Sequence, residues 1–334
     1  MRAQLAPPAA GQAVIAVLAG EPLGEVAARF QMREDDLVRA VEVYRIAGEA
    51  ALIRMSERPA WYQITVASPA LSHHHGLTPF VLSHLGAELG EAENDKVIHS
   101  YHFLRKDGGI RLRVRPNSEP AQQRLAAILD RLAACGQVSG WVPGIYEPET
   151  HAFGGPAAMR TAHTLFCADS HAALASFDLA SPLPSPCPRK TSVLLTCALL
   201  RAAGLDVHEQ GDVWARICAR RDPPRLPPPH QMDAALTGIG HLMAADPVAQ
   251  RFGTGWRSRV AAFEVAGREL AGLARTGVLQ RGLRAVLARH VLFLFNRAGM
   301  RGHQQAIVAY LAHAVAMDEP ALAVIVPTEL VERG

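Results

Sequence analysis

The 334-residue sequence has only five cysteines and no CxxC pair among them. An odd, scattered set of Cys135, Cys167, Cys187, Cys197 and Cys218 supports neither a disulfide framework nor a zinc site. A reducing, cytoplasmic setting is the expectation. Aromatic residues make up just 6% of the chain, while Ala, Leu and Arg abound, which favours helices over a β-sandwich. No apolar run approaches the roughly 20 residues of a membrane-spanning helix. The early AVIAVLAG is short and gives way to GEPLGE, with neither a cleavage site nor an anchor. A membrane is therefore not an expected partner. An excess of one charge is missing too: 34 Lys plus Arg face 31 Asp plus Glu, a net charge of +3. That balance gives no argument for nucleic acid, and any basic site must be local.

Common catalytic signatures are also absent. GxSxG, GxGxxG and the P-loop pattern do not occur at strand-to-helix junctions, so hydrolase, dinucleotide and nucleotide readings lack their minimum evidence. His208 and Glu209 do not begin an HExxH motif, because the fourth position after His208 is Asp212. His73, His74 and His75 lack a spaced carboxylate or cysteine partner and read as a solvated loop. No metal and no cofactor are expected.

What the chain does contain is helical periodicity. Residues 10–19, 22–31 and 34–47 form three short amphipathic segments, with Leu23, Val26, Ala27 and Phe30 on one stripe and Leu37, Val41 and Tyr44 on the next. They predict a helix-turn-helix-like module over residues 1–56. Glu34, Asp35 and Asp36 suit the first turn of its third helix but would repel a phosphate backbone there, so DNA is not its expected partner. A docking surface or a packing module remains.

From Trp61 the pattern becomes β-rich. WYQITVAS opens a second domain over residues 57–334, and a strand pair comes next at KVIHSYHFLRK and IRLRVRP, turned by Asp107, Gly108 and Gly109. In the second of these, Ile110, Leu112 and Val114 alternate with Arg111, Arg113 and Arg115, so three guanidiniums share one face. That face is an anion site or an ordinary solvated surface. PAQQRLAAILDRLAACG predicts a helix ended by Gly136. Another runs from Pro156 to about Cys167, with Asp169 and Ser170 beyond it as capping residues. SPLPSPCP and RDPPRLPPPH read as stiff connectors, with a polyproline ligand as the alternative for the second. SVLLTCALLRAAG and HVLFLFNRAG read as buried helices. The predicted class is α+β, predominantly helical, with a small sheet packed against helices.

Between the sheet and the helices, YEPETHAFGG sets Tyr146, Glu147, Glu149 and His151 beside Gly154, Gly155 and Pro156. Missing side chains there permit close approach by another chain, such as a peptide, and an ordinary loop is the alternative. FLRKDGGIRLRVRP, YEPETHAFGGPAAM, FCADS, SVLLTCALLRAAG and FNRAG, in this order, resemble the thiopeptide-type branch of the lantibiotic dehydratase C-terminal family. The resemblance covers about residues 57–315. It implies a precursor peptide with its leader as substrate, and other enzymes of the same pathway as partners.

The resemblance implies two chemistries. One eliminates glutamate from glutamylated Ser or Thr, and the other joins two dehydroalanines by a formal four-plus-two aza-cycloaddition. Positions matching Arg111 and Arg113 are then anion-facing. The resemblance also carries Asn296 and Arg297 into the site, with Asp169, Ser170 and His290 as substrate-binding candidates. Two departures bear on the reaction. Where eliminases resemble a pattern with arginine, this chain has Pro148 and Ala152. Where they carry a histidine before the Asn-Arg pair, it has Leu292, Phe293, Leu294 and Phe295. Elimination needs a base, whereas cycloaddition rests on positioning. An apolar pocket at Phe153, Phe293 and Phe295, with Arg113, Tyr146 and Glu149 assisting tautomerisation and dehydration, points toward a cyclase. Elimination is the alternative, with His290 or His163 standing in for the base. A non-catalytic role in recruiting precursor peptide is the third reading.

Overall fold

The computed structural model describes residues 7–56, 61–68, 77–106, 108–117, 119–176, 187–224, 226–250, 252 and 255–318. His73 to His75 and most of SPLPSPCP lie outside them. The elements run α1 (Pro7–Leu18), α2 (Leu23–Arg29), α3 (Glu34–Ser56), β1 (Tyr62–Ala67), α4 (Pro79–Asn94), β2 (Ile98–Lys106), β3 (Gly109–Pro116), α5 (Glu119–Ala134) and β4 (Gly140–Ile145). Seven helices complete the order: α6 (Pro156–Ala175), α7 (Pro188–Ala202), α8 (Val207–Cys218), α9 (Pro229–Ala244), α10 (Trp256–Arg275), α11 (Leu283–Arg297) and α12 (Gly302–Met317). The fold is α+β and predominantly helical.

Helices α1 to α3 close a small core of their own from Ala13, Val14, Val26, Ala27 and Leu37. The stripe read from the sequence supplies Val26, Ala27 and Leu37, and α3 continues nine residues past the predicted end at 47. The acidic first turn of α3 is where it was expected, and Arg33 pairs there with Asp36 at 2.8 Å.

The four strands form one antiparallel sheet in the order β2-β3-β1-β4. Strand β4 was not foreseen, since GWVPGI reads as a loop. Pro143 is tolerated because β4 is an edge strand, where a missing N–H breaks no interior ladder. Alternation divides the sheet's two faces. Ile64, Val66, Phe103, Ile110, Leu112 and Val114 pack on Val81, Leu82, Leu85 and Leu89 of α4 and on Leu125, Ile128, Leu129 and Leu132 of α5. The other face carries His102 opposite Arg113 and Leu104 opposite Arg111, and it meets α6 and α11.

Behind that face lies a larger helical core. Thr191 to Leu200 of α7 are all buried, as suits a helix that is apolar on every side. Around it pack Trp214, Ile217, Phe263, Leu270, Val291 and Tyr310 from α8, α10, α11 and α12. Helix α8 begins at a capping box in which Asp206 accepts from the Glu209 amide at 2.8 Å and Glu209 accepts from the Asp206 amide at 3.2 Å. Among the described residues no helix is long and apolar enough to cross a membrane.

Candidate active site

The sequence pattern ends the helix from Pro156 near Cys167 and leaves Asp169 and Ser170 to cap the next segment. In the structure α6 continues to Ala175, and both residues are fully buried in its interior. Asp169 accepts from Arg259 of α10, through Nε at 2.8 Å and Nη2 at 2.6 Å, and from Nη1 of Arg297 on α11. Arg297 also donates through Nε to the Phe103 carbonyl at 3.1 Å, and Ser170 Oγ accepts from the Phe103 amide at 3.1 Å. Buried charges persist only when paired and hydrogen-bonded. Here they clamp β2 to three helices, beneath the site rather than within it.

The Gly154-Gly155 turn has a similarly internal explanation. Its φ angles are +91° and +102°, a region that glycine adopts without strain. A Cβ would fall 2.6 Å from Leu279 Cδ1 at position 154 and 2.6 Å from Gln280 Cδ at position 155. Gln280 donates its backbone N–H to the Gly154 carbonyl at 2.8 Å. The chain that approaches these glycines is therefore the protein's own α10–α11 connection, and the turn is buried. Phe153 is buried beside it, edge-on to Phe293 and His290 at 4.9 Å each. Phe295 is on the far side of α11, stacked near Trp214 at 6.3 Å. The expected three-phenylalanine pocket does not form, because positions 293 and 295 are two apart on a helix and point in different directions.

What opens instead is a cationic cleft of about 410 Å³. Strands β2 and β3 supply Arg105, Lys106, Arg111 and Arg113, α11 supplies Arg289, Leu292, Phe293 and Asn296, and Arg221, Arg301 and Gln305 close the far end. Among the described residues Glu149 is the one carboxylate in the lining, and it pairs with Arg289. Seven cations against one anion is a concentrated field, whereas the larger hollow of about 660 Å³ between α3, α6 and α10 mixes Glu42 and Glu269 with Arg160 and Arg275. Burial, and after it the charges of Arg289 and Arg220, push the Arg221 guanidinium below its ordinary value. Arg221 is held by Gln305, whose Oε1 accepts from it at 2.9 and 2.7 Å, and Gln305 in turn donates to Asn296 at 3.0 Å.

At the sheet end, Arg113 is only 7% exposed. Its Nε donates to Gln63 Oε1 at 2.9 Å, and its guanidinium carbon sits 4.7 Å from the centroid of the Tyr146 ring. The Tyr146 hydroxyl is 2.9 Å from His163 Nε2. Burial raises Tyr146 to about 12, and burial with the charges of Arg113 and Arg115 lowers His163 to about 4. At neutral pH the pair is an uncharged phenol and an uncharged imidazole. His102 is fully enclosed by Trp61, Phe166, Tyr146 and His163, and neither of its nitrogens has a hydrogen-bond partner among the described residues. Burial, then the charge of Arg113, hold it well below the usual imidazole range. His290 is likewise buried and without a hydrogen-bond partner among the described residues, and burial lowers it to about 3.

Of the residues singled out in the sequence, Arg111, Arg113, Glu149, Phe293 and Asn296 line the cleft. Tyr146 stands just behind Arg113, Phe153, Asp169, Ser170, His290 and Arg297 are buried, and Phe295 faces away toward Trp214. Sequence reasoning missed Arg105, Arg221, Arg289, Arg301, Gln305, Gln63, Trp61 and His102. The hairpin register would have found His102: pairing Lys106 with Gly109 sets it, with Leu104, on the arginine face. Arg221 was hidden in a proline-rich stretch that reads as a connector.

The family profile described as lantibiotic biosynthesis dehydratase C-term matches residues 61–316. The chain belongs to that family. Its members modify ribosomally synthesised peptides. Among solved structures the chain is similar to the tRNA-dependent lantibiotic dehydratase MibB from Microbispora sp. 107891, with a TM-score of 0.59 and 18% identity over 78% of this chain and 28% of that one. It is also similar to TsrL, with a TM-score of 0.53 and 14% identity over 78% of this chain and 95% of TsrL. At these identities the likeness is one of fold. The chain thus corresponds to little more than a quarter of MibB and to nearly all of TsrL. No curated protein matches it.

Proposed function

We propose that this protein eliminates glutamate from glutamylated serine or threonine residues of a precursor peptide, leaving dehydroalanine or dehydrobutyrine. The observation that carries this reading is the cationic cleft in which Glu149 is the one carboxylate among the described residues. Glutamate leaves as a carboxylate, and preorganised guanidiniums aimed at developing negative charge are the largest single contribution such a site can make.

In this reading Glu149 takes the α-proton of the glutamylated residue. The Cα–H electron pair becomes the Cα=Cβ bond, the Cβ–O bond breaks, and the departing carboxylate is received by Arg113 and Arg111. Asn296 orients the peptide backbone at the opposite wall. His163 and His290 are not assigned as bases: one is committed to Tyr146 and the other is sealed behind Phe153 and Phe293. The tRNA dependence of MibB belongs to a chain of which this one matches only 28%, and no step of the proposed reaction draws on it.

A second reading, cyclisation of two dehydroalanines, is favoured by the apolar pair Leu292 and Phe293 in the cleft wall and by Pro148 and Ala152 at the departed positions. The two are separated by supplying the purified protein with a glutamyl-ester peptide and, separately, with an azole peptide carrying two dehydroalanines. Loss of glutamate from the first with the second unchanged supports elimination. Macrocycle formation with a new ultraviolet chromophore from the second, and no change in the first, replaces that reading with cyclisation.

A further inference from the structure

Arg113 presents an arrangement that the chemistry above does not by itself require. A guanidinium has five N–H donors in a rigid plane, and its reach into a cleft depends on how that plane is set. In this protein the plane is fixed from two directions. Gln63, the cross-strand neighbour of Arg113 on β1, takes the Nε proton at 2.9 Å. Tyr146 lies across the guanidinium, ring centroid 4.7 Å from its carbon. The ring is fixed in turn by the 2.9 Å contact of its hydroxyl with His163 and by edge contacts with Trp61 at 6.2 Å and His102 at 5.8 Å. His163 is itself tilted against Trp61 at 5.0 Å. Among the described residues the hydrogen bond of Arg113 is made through Nε, no hydrogen bond engages its two terminal nitrogens, and the residue lines the cleft.

We infer that Tyr146 and Gln63 are positioning residues that hold the Arg113 guanidinium with its terminal nitrogens facing the cleft, and that His163 fixes the Tyr146 ring for this purpose. The inference rests on the anion-receiving role of Arg113 proposed above. Burial of Arg113 makes the arrangement necessary, since a desolvated cation with a free choice of rotamer would lose its aim along with its solvent. A π-face stabilises such a cation without accepting one of its protons. Both terminal nitrogens therefore remain available to a carboxylate. In this role Tyr146 exchanges no proton with substrate, in contrast to the assistance in tautomerisation expected from the sequence.

The test is a double-mutant cycle read by two assays: glutamate release from a glutamyl-ester peptide, and binding of glutarate as a probe dicarboxylate. Tyr146→Phe keeps the ring and should cost about threefold in kcat/KM, whereas Tyr146→Leu should cost about 10- to 100-fold, chiefly in kcat. Gln63→Leu should fall between them and serves if Tyr146→Leu does not fold. In an Arg113→Ala background, neither Tyr146→Leu nor Gln63→Leu should cost anything further in either assay. The inference is overturned if Tyr146→Phe is as damaging as Tyr146→Leu, or if Tyr146→Leu retains its full effect without Arg113. Either result makes the phenol a reacting group. Should the wild-type protein release no glutamate, the proposed reaction fails, and the cycle on glutarate affinity still decides whether Tyr146 acts through Arg113.

Discussion

Arg259 donates to Asp169 through two nitrogens, Nε at 2.8 Å and Nη2 at 2.6 Å, across the interface of α10 and α6. Arg297 reaches the other carboxylate oxygen, so one buried anion answers two buried cations. Removing Asp169 leaves both guanidiniums desolvated and unpaired. Asp169→Ala is expected to destabilise the fold by about 3–5 kcal/mol, the cost of breaking a buried pair on one side, as measured by urea denaturation. A loss under about 1 kcal/mol would mean that water enters and solvates the arginines.

The enclosed imidazoles of His290 and His163 tie stability to pH. Burial lowers His290 to about 3 and His163 to about 4, from an unfolded value near 6.5. Between those limits the unfolded chain binds more protons than the folded one, so stability falls as pH falls. It is fully present above about 6.5 and erodes toward 3, each group adding up to about 1.4 kcal/mol per pH unit. His290→Phe should flatten the slope of melting temperature against pH between 6.5 and 4. An unchanged slope would show that His290 protonates freely in the folded state.

Leu294 stands in the run where a histidine is expected from the family resemblance, and its side chain is 1% exposed in the core between α11 and its helical neighbours. An imidazole at that position would be buried without reaching the cleft. Leu294→His should lower stability by about 1–3 kcal/mol, the cost of an unpartnered buried polar group, and leave turnover no higher. A gain in glutamate release would show that α11 rotates to present this position to substrate.

Helices α1 to α3 close their own core, and Ile15, Leu18, Val38, Tyr44 and Leu52 are exposed on them. Deleting residues 1–56 should leave the remaining fold intact by circular dichroism. If the module recruits the leader, the deletion weakens binding of a fluorescent precursor peptide. Equal affinity before and after deletion would make the module a structural appendage.

Much of this architecture is legible in the periodicity of the sequence. The three N-terminal helices, the β2–β3 hairpin and the arginine face of β3 all come from spacing, because in each the apolar residues recur at the period of the element and separate from the polar ones. Strand β4 did not, since Pro143 and two glycines obscure a strand that only an edge position permits. The tertiary partners were also hidden. Nothing local says that Asp169 meets Arg259 ninety residues on, or that Gly154 accommodates Leu279. The cleft itself is built from β2, β3, the α8–α9 connection, α11 and the start of α12, and no single segment of the sequence reveals their convergence. The misplaced aromatic pocket has the same origin: counting phenylalanines along α11 does not say which face each takes.

Glutamate release by the wild-type protein and its Arg113→Ala variant, monitored in a coupled assay with a glutamyl-ester precursor peptide, tests the central claim most directly. Release by the wild type, reduced at least 100-fold in the variant, is the expected result for loss of an anion-stabilising donor. Equal release by the two proteins, or none by the wild type while the peptide still binds, would contradict the account.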